Sequence, residues 1–157
     1  MKTGLALEEI MHVDPSLKKK IESILYTFME IATIHAVTYV TEGNRNTLTT
    51  MDIVFGLKYC ARTFFHEPNL EDNIDANLAQ LDMEDEDMED EDTEDEDTED
   101  EDTEDTEDTF VRNETSTNPL VLKMNQYVDE WSSWCPTDEA EVMIKRVIDK
   151  IESQPDL

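Results

Sequence analysis

Apolar residues recur between Pro15 and Glu42 at the spacing of one helical stripe: Leu17, Ile21, Ile24, Leu25, Phe28, Met29, Ala32, Ala36, Tyr39 and Val40. Asp14 before Pro15 reads as an N-cap followed by a first-position proline, so a helix is expected from Pro15 to Glu42, roughly 42 Å long. Ile31, Ile34 and Val37 fall off the stripe, which makes the helix apolar on more than one side. Leu5, Leu7, Ile10 and Met11 suggest a short helix before it, ending near His12. Gly43 breaks the long helix, Asn44, Arg45 and Asn46 turn the chain, and Thr47, Leu48 and Thr49 are short and β-prone. Thr49 and Asp52 then form a capping-box pattern that opens a third helix, with Ile53, Leu57, Cys60, Val54 and Ala61 on its inner face. Two flanking helices of about three turns each cannot cover one of this length. Its uncovered side therefore needs a partner.

After Asp82 the pattern changes to MEDED MEDED TEDED TEDED TED TED, five-residue units shrinking to three. Neither period matches a helix face or a strand, and neighbouring like charges repel, so an extended, disordered tract is expected. Beyond Pro119, Leu120, Met124, Tyr127, Val128, Trp131 and Trp134 share one helix face. Pro136, Thr137, Asp138 and Glu139 open another helix, with Val142, Ile144, Val147, Ile148 and Ile151 inside. The expected organisation is thus a helical domain over 1–68, an acidic low-complexity linker over 69–118, and a helical hairpin over 119–157. Such a hairpin is too small to be stable alone, so it docks on the first domain or on a partner.

Charge sharpens this division. The chain of 157 residues carries a formal −29, yet residues 1–70 hold 7 bases against 8 acids, and 71–109 hold 24 acids and no base. The tract admits three readings: a solubilising spacer, a polyanion that binds basic histone tails or covers a DNA-binding surface, and a weak binder of divalent cations. Thr93 and Thr98 each precede four acids and suit an acidophilic kinase. No secretory signal and no apolar run long enough to span a bilayer is read here, so a chain that is neither secreted nor in a membrane is expected. Cys60 and Cys135 have neither metal-ligand nor disulfide spacing, and Asn113-Glu114-Thr115 is an accidental glycosylation pattern. His12, His35 and His66 are scattered and no Gly-rich phosphate loop exists. The expectation is no catalytic site, no metal and no cofactor; Tyr127, Trp131 and Trp134 are packing residues.

Residues Phe28 to Phe65 add a likeness. Without gaps, Phe28, Glu30, Ala36, Val37, Thr38, Tyr39, Arg45, Thr47, Thr49, Met51, Asp52, Val54, Leu57, Lys58, Arg62 and Thr63 stand where the core histones have the same residues. The stretch resembles the second half of a histone fold, closest to histone H-four, although the lead-in LEEIMHVDP looks more like that of histone H-two-B. The resemblance implies an all-α histone fold of short, long and short helices, crossing a second histone-fold chain in a handshake. On that view Leu17, Ile21, Ile24, Leu25, Phe28, Ala32, Ala36, Tyr39, Leu48, Ile53 and Leu57 serve dimerisation. Arg45 and Asp52 form a structural ion pair, and Lys18, Lys19, Lys20, Arg45, Lys58 and Arg62 are candidate phosphate contacts. The family's basic tail is missing from the start MKTGLALEE, and its basic loop is reduced to Asn44-Arg45-Asn46, so DNA contact is expected only as half of a dimer.

The function implied is DNA packaging in chromatin, in a nucleus or, for so acidic a variant resembling the histone-like proteins of large DNA viruses, in a virion or viral factory. Two alternatives stay open. One is a non-nucleosomal histone-fold subunit of a transcription, replication or remodelling complex. The other is a virion or capsid protein using the fold for docking.

Overall fold

The structure is a computed structural model that describes residues 14–86 and 109–154. Five helices are present there: α1 (Pro15–Glu42), α2 (Thr50–Thr63), α3 (Leu70–Glu86), α4 (Pro119–Asp129) and α5 (Glu139–Glu152), with a 3-10 turn over Phe64–His66. The fold is all-α, with no strand among the described residues; Thr47–Thr49 stay outside regular structure. The expected first helix before His12 and the acidic units over 87–108, with Thr93 and Thr98, lie outside the described residues. The described residues divide into two compact units, one of residues 14–27 with 69–86, the other of residues 28–68 with 109–154.

In the first unit, α3 lies along the N-terminal half of α1. Residues 70–86 were expected to belong to the linker, and they are helical instead. Leu70, Ile74, Leu78 and Leu81 recur at helical spacing beneath the acids, all four partly buried, and Glu71 and Asp72 favour the positive end of the helix dipole. The contact with α1 is largely polar. Ser23 Oγ donates to the Ile74 carbonyl at 2.6 Å, Asn77 Nδ2 donates to Thr27 Oγ1 at 2.9 Å, and Lys19 Nζ meets Asp82 at 2.8 Å.

In the second unit, α1 ends in a Schellman arrangement. Arg45 N–H donates to the Val40 carbonyl and Asn44 N–H to that of Thr41, and Asn44 rather than Gly43 takes the left-handed turn, at φ 54°. Helices α1 and α2 then approach closely at Gly56, where a Cβ would stand 2.3 Å from the Ala32 carbonyl oxygen. Phe28 packs edge-on to Phe64 at 5.2 Å, and Cys60, fully buried, reaches the Phe28 carbonyl. Helices α4 and α5 both dock on α2, so the hairpin folds back on its own chain. Tyr39, Phe55, Val121 and Met124 form the core beneath α4.

Residues 109–118, also expected as linker, are packed in this unit. Phe110 sits 5.0 Å from the Phe55 ring and 6.4 Å from the Tyr39 ring. The Tyr39 hydroxyl accepts from the Asn113 backbone at 3.0 Å and donates to Asn125 Oδ1 at 2.8 Å, while Asn125 Nδ2 donates to the Asn113 carbonyl. Asn113 is buried, so its glycosylation pattern does not fit the folded chain.

One expectation needs correcting here. By length and composition α1 is apolar enough to cross a membrane. Its packing accounts for that composition differently, since Phe28, Ala32, Ala36, Tyr39 and Val40 are buried within the protein and Ser23 and Thr27 are held by α3. Packing covers only part of the apolar surface of α1, since Leu17, Ile21, Leu25, Ile34 and Val37 stay open.

Candidate partner-binding face and its cations

The loop between α1 and α2 is fastened by one carboxylate. Thr49 N–H and Thr49 Oγ1 donate to Asp52 Oδ2 at 2.8 and 2.7 Å, and the Asp52 N–H returns to Thr49 Oγ1, which completes the capping box. Arg45 clasps the same carboxylate through both terminal nitrogens, with Nη1 at 3.0 Å from Oδ2, and its guanidinium lies 5.7 Å from the Phe110 ring. Burial alone would raise the Asp52 pKa; hydrogen bonds from Arg45 and Thr49 outweigh it and hold the carboxyl below its ordinary value. The expected Arg45–Asp52 pair is therefore present, and it ties the loop to the start of α2.

The eleven expected dimerisation residues divide sharply. Phe28, Ala32, Ala36, Tyr39 and Leu57 are buried inside the chain itself, Tyr39 and Ala36 completely. They pack among α1, α2, the 3-10 turn and α4 within the second unit and offer nothing to a partner as the chain stands. Ile24 and Ile53 are half-buried. Leu17, Ile21, Leu25 and Leu48 are open, at 52, 46, 59 and 39 % exposure. On α1 the positions 17, 21, 25, 28, 32, 36 and 39 trace one continuous stripe, so the open leucines and isoleucine extend the line of residues that α2 buries further along. Tyr26, Met29, Ile34 and Val37 are also open, on other sides of the helix.

The six candidate phosphate contacts are less available than their sequence suggests. Lys58 Nζ is bound to Glu152 at 2.7 Å, Arg62 Nη1 to Glu130 at 3.0 Å, Lys19 to Asp82 and Arg45 to Asp52. Lys18 stands 3.7 Å from Glu22 on the exposed face of α1. Only Lys20 has no carboxylate partner among the described residues. Hydrogen bonds from Gln126 and Arg62 hold the Glu130 carboxyl below its usual range.

Sequence reasoning missed the carboxylates that meet these cations, because Glu130 and Glu152 are 68 and 94 residues away along the chain. It also missed an open cleft of about 520 Å³ beside α5, walled by Trp134, Pro136 and Val142. The titratable groups form no reactive set. His35 is half-buried with its ring edge against Tyr59, and burial keeps its pKa low despite Glu67 at 3.8 Å. Burial pushes the Cys60 thiol up to about 12, while Cys135 is exposed. Among the described residues, no group of three His, Cys, Asp or Glu side chains could hold a metal ion. No family model, no curated protein and no solved structure matches this chain.

Proposed function

We propose that this chain is a histone-fold protein resembling histone H-four, which pairs with a basic histone-fold chain in the packaging or remodelling of DNA. The observation that carries this reading is the open N-terminal half of the α1 stripe, Leu17, Ile21 and Leu25. Three large aliphatic side chains in line on one helix are costly to leave in water, and since each is about half exposed its burial by a partner would contribute about 1 kcal/mol. The Arg45–Asp52 clamp and the Thr49 capping box support the same reading, because they hold the loop beside α2 in the arrangement the resemblance implies. The partner should be basic. A chain of net charge −29 repels its own copies and attracts a cationic surface. DNA contact would then come mainly from the partner.

The test is affinity purification of the full tagged chain from its native source after nuclease treatment, beside an Ile21→Asp/Leu25→Asp variant. A basic histone-fold chain retained by the wild type and lost from the variant is expected. Equal recovery by both, or no histone-fold chain with either, removes the proposal. A second reading, a non-nucleosomal subunit of a transcription or replication complex, is favoured by the ion pairing of the candidate phosphate contacts. It predicts the same loss of partner, with polymerase or transcription subunits in place of a DNA-packaging chain.

A further inference from the structure

The connection between α4 and α5 shapes a cleft that holds an unpaired cation. Helix α4 ends at Asp129, and the Trp134 N–H then donates to the Glu130 carbonyl at 2.9 Å, so the chain turns back within a few residues. Pro136 and the N-cap Asp138 lead it into α5. Trp131 Nε1 donates across this turn to Asp149 Oδ1 at 2.7 Å, and Lys145 Nζ meets the other oxygen of that carboxylate at 3.2 Å. These bonds fix α5 against the turn. Beside them lies the open cleft of about 520 Å³, walled by Trp134, Pro136 and Val142 and lined also by Arg146.

Arg146 differs from the other cations of this unit. Arg45, Lys58, Arg62, Arg112 and Lys145 each meet a carboxylate. Arg146 is exposed and meets none among the described residues. Met143 and Val147, beside it on the outer side of α5, are open as well, at 66 and 56 % exposure. A guanidinium next to apolar walls suits a carboxylate carried close to a large apolar side chain. The fork of Arg takes a carboxylate through two parallel hydrogen bonds, and the indole, proline and valine surfaces take the apolar group. A nucleic acid strand fits worse, because the Asp149 carboxylate shares the cleft with this one free cation.

We propose that the cleft binds a short acidic peptide segment of another protein, seating an aromatic or branched aliphatic side chain between Trp134, Pro136 and Val142 and a carboxylate on Arg146. The inference is independent of the proposed histone-fold pairing, which uses α1. The chain's charge of −29 opposes an acidic ligand at a distance. Salt screens that repulsion beyond about 8 Å and screens an ion pair inside the cleft much less, so binding should hold or strengthen as salt rises.

The full-length chain tests this with three pools of fluorescein-labelled ten-residue peptides of randomised order, followed by anisotropy over a salt series. One pool carries Phe and Leu among Asp and Glu, the second has Asn and Gln for the acids, and the third keeps the acids with Ser for Phe and Leu. The first pool should bind about tenfold more tightly than either of the others, as expected when an apolar anchor and a charge act together. Arg146→Gln should bring its affinity down to that of the second pool. Lys20→Gln, the same change of charge on an exposed part of α1, should leave it unchanged. Circular dichroism checks that both variants keep their helices. Cys135 lines the cleft and is exposed while Cys60 is buried, so bound peptide should slow alkylation of Cys135 by iodoacetamide, a readout on the wild-type chain itself. No difference among the three pools at any affinity, wild-type binding by Arg146→Gln, or an unprotected Cys135 would each overturn the proposal. So would affinity that falls steeply with salt, which marks a diffuse contact that any polyanion, DNA included, could make.

Discussion

At the scale of single residues, Asp52 bears more interactions than any other side chain in the loop region. It accepts from Arg45, from the Thr49 backbone and from the Thr49 hydroxyl while itself fully buried. Asp52→Asn keeps the shape and removes the charge, so it should cost about 3 kcal/mol at neutral pH, near the lower end for breaking a buried pair because Arg45 keeps some contact with water. The pH dependence has a definite sign. A carboxyl held below its ordinary value of 3.8 stabilises the fold above that pH and loses the contribution as pH falls through the folded-state value. Urea melts of wild type and variant should therefore converge below about pH 4. A constant gap down to pH 2 would show that charge is not what Asp52 supplies.

Gly56 is governed by space instead. An added Cβ would meet the Ala32 carbonyl at 2.3 Å, so Gly56→Ala must push α1 and α2 apart. The strain of overpacking, about 1–3 kcal/mol, competes with a helix-propensity gain of about 1 kcal/mol. A backbone carbonyl cannot swing aside as a side chain can, so strain should win and the urea midpoint should fall. Tyr39→Phe should also destabilise, by about 1–3 kcal/mol, because it strips the buried Asn113 N–H and the Asn125 carbonyl oxygen of their shared hydroxyl partner.

At the scale of elements, exposure along α1 separates positions needed for folding from those the proposed pairing would use. Ile21→Asp/Leu25→Asp alters side chains that are about half exposed, so the free chain should keep its circular dichroism signal and thermal midpoint while losing its partner. Ala32→Asp places a charge at a fully packed position and should unfold the second unit outright. If the first variant also melts the chain, the open stripe belongs to the core and not to an interface. The bounds of α1 were legible because proline, glycine and asparagine act locally: Pro15 can open a helix, and the Gly43–Asn44 pair closes one. The Thr49–Asp52 box and the Arg45–Asp52 pair were legible for the same reason, lying three and seven residues apart. Which part of the stripe the chain buries itself was not legible. That depends on where α2 and α4 come to rest, and Phe28 and Tyr39 look no different from Ile21 and Leu25 until those helices are in place. Helix α3 was hidden for another reason. Its acids and the repeat that follows dominate the composition, while Leu70, Ile74, Leu78 and Leu81 keep the helical period beneath them.

At the scale of the whole molecule, the chain separates two kinds of charge. Lys19, Arg45, Lys58 and Arg62 of the folded parts are paired with carboxylates within them, while residues 87–108 contribute 17 acids and no base. With a net charge of −29 the molecule presents a negative field to any partner, and such a field acts first on encounter rate rather than on final affinity. Exchanging the 17 acids for Asn and Gln keeps the tether and removes the field. Stopped-flow association with the proposed basic partner should then slow by about tenfold or more at low ionic strength, and the rate should lose most of its salt dependence. The dissociation rate should barely change if, as proposed, Leu17, Ile21 and Leu25 hold the pair once it has formed. An unchanged association rate would reduce the tract to a solvated spacer, and a faster dissociation rate would mean that its acids bind the partner directly in the finished complex.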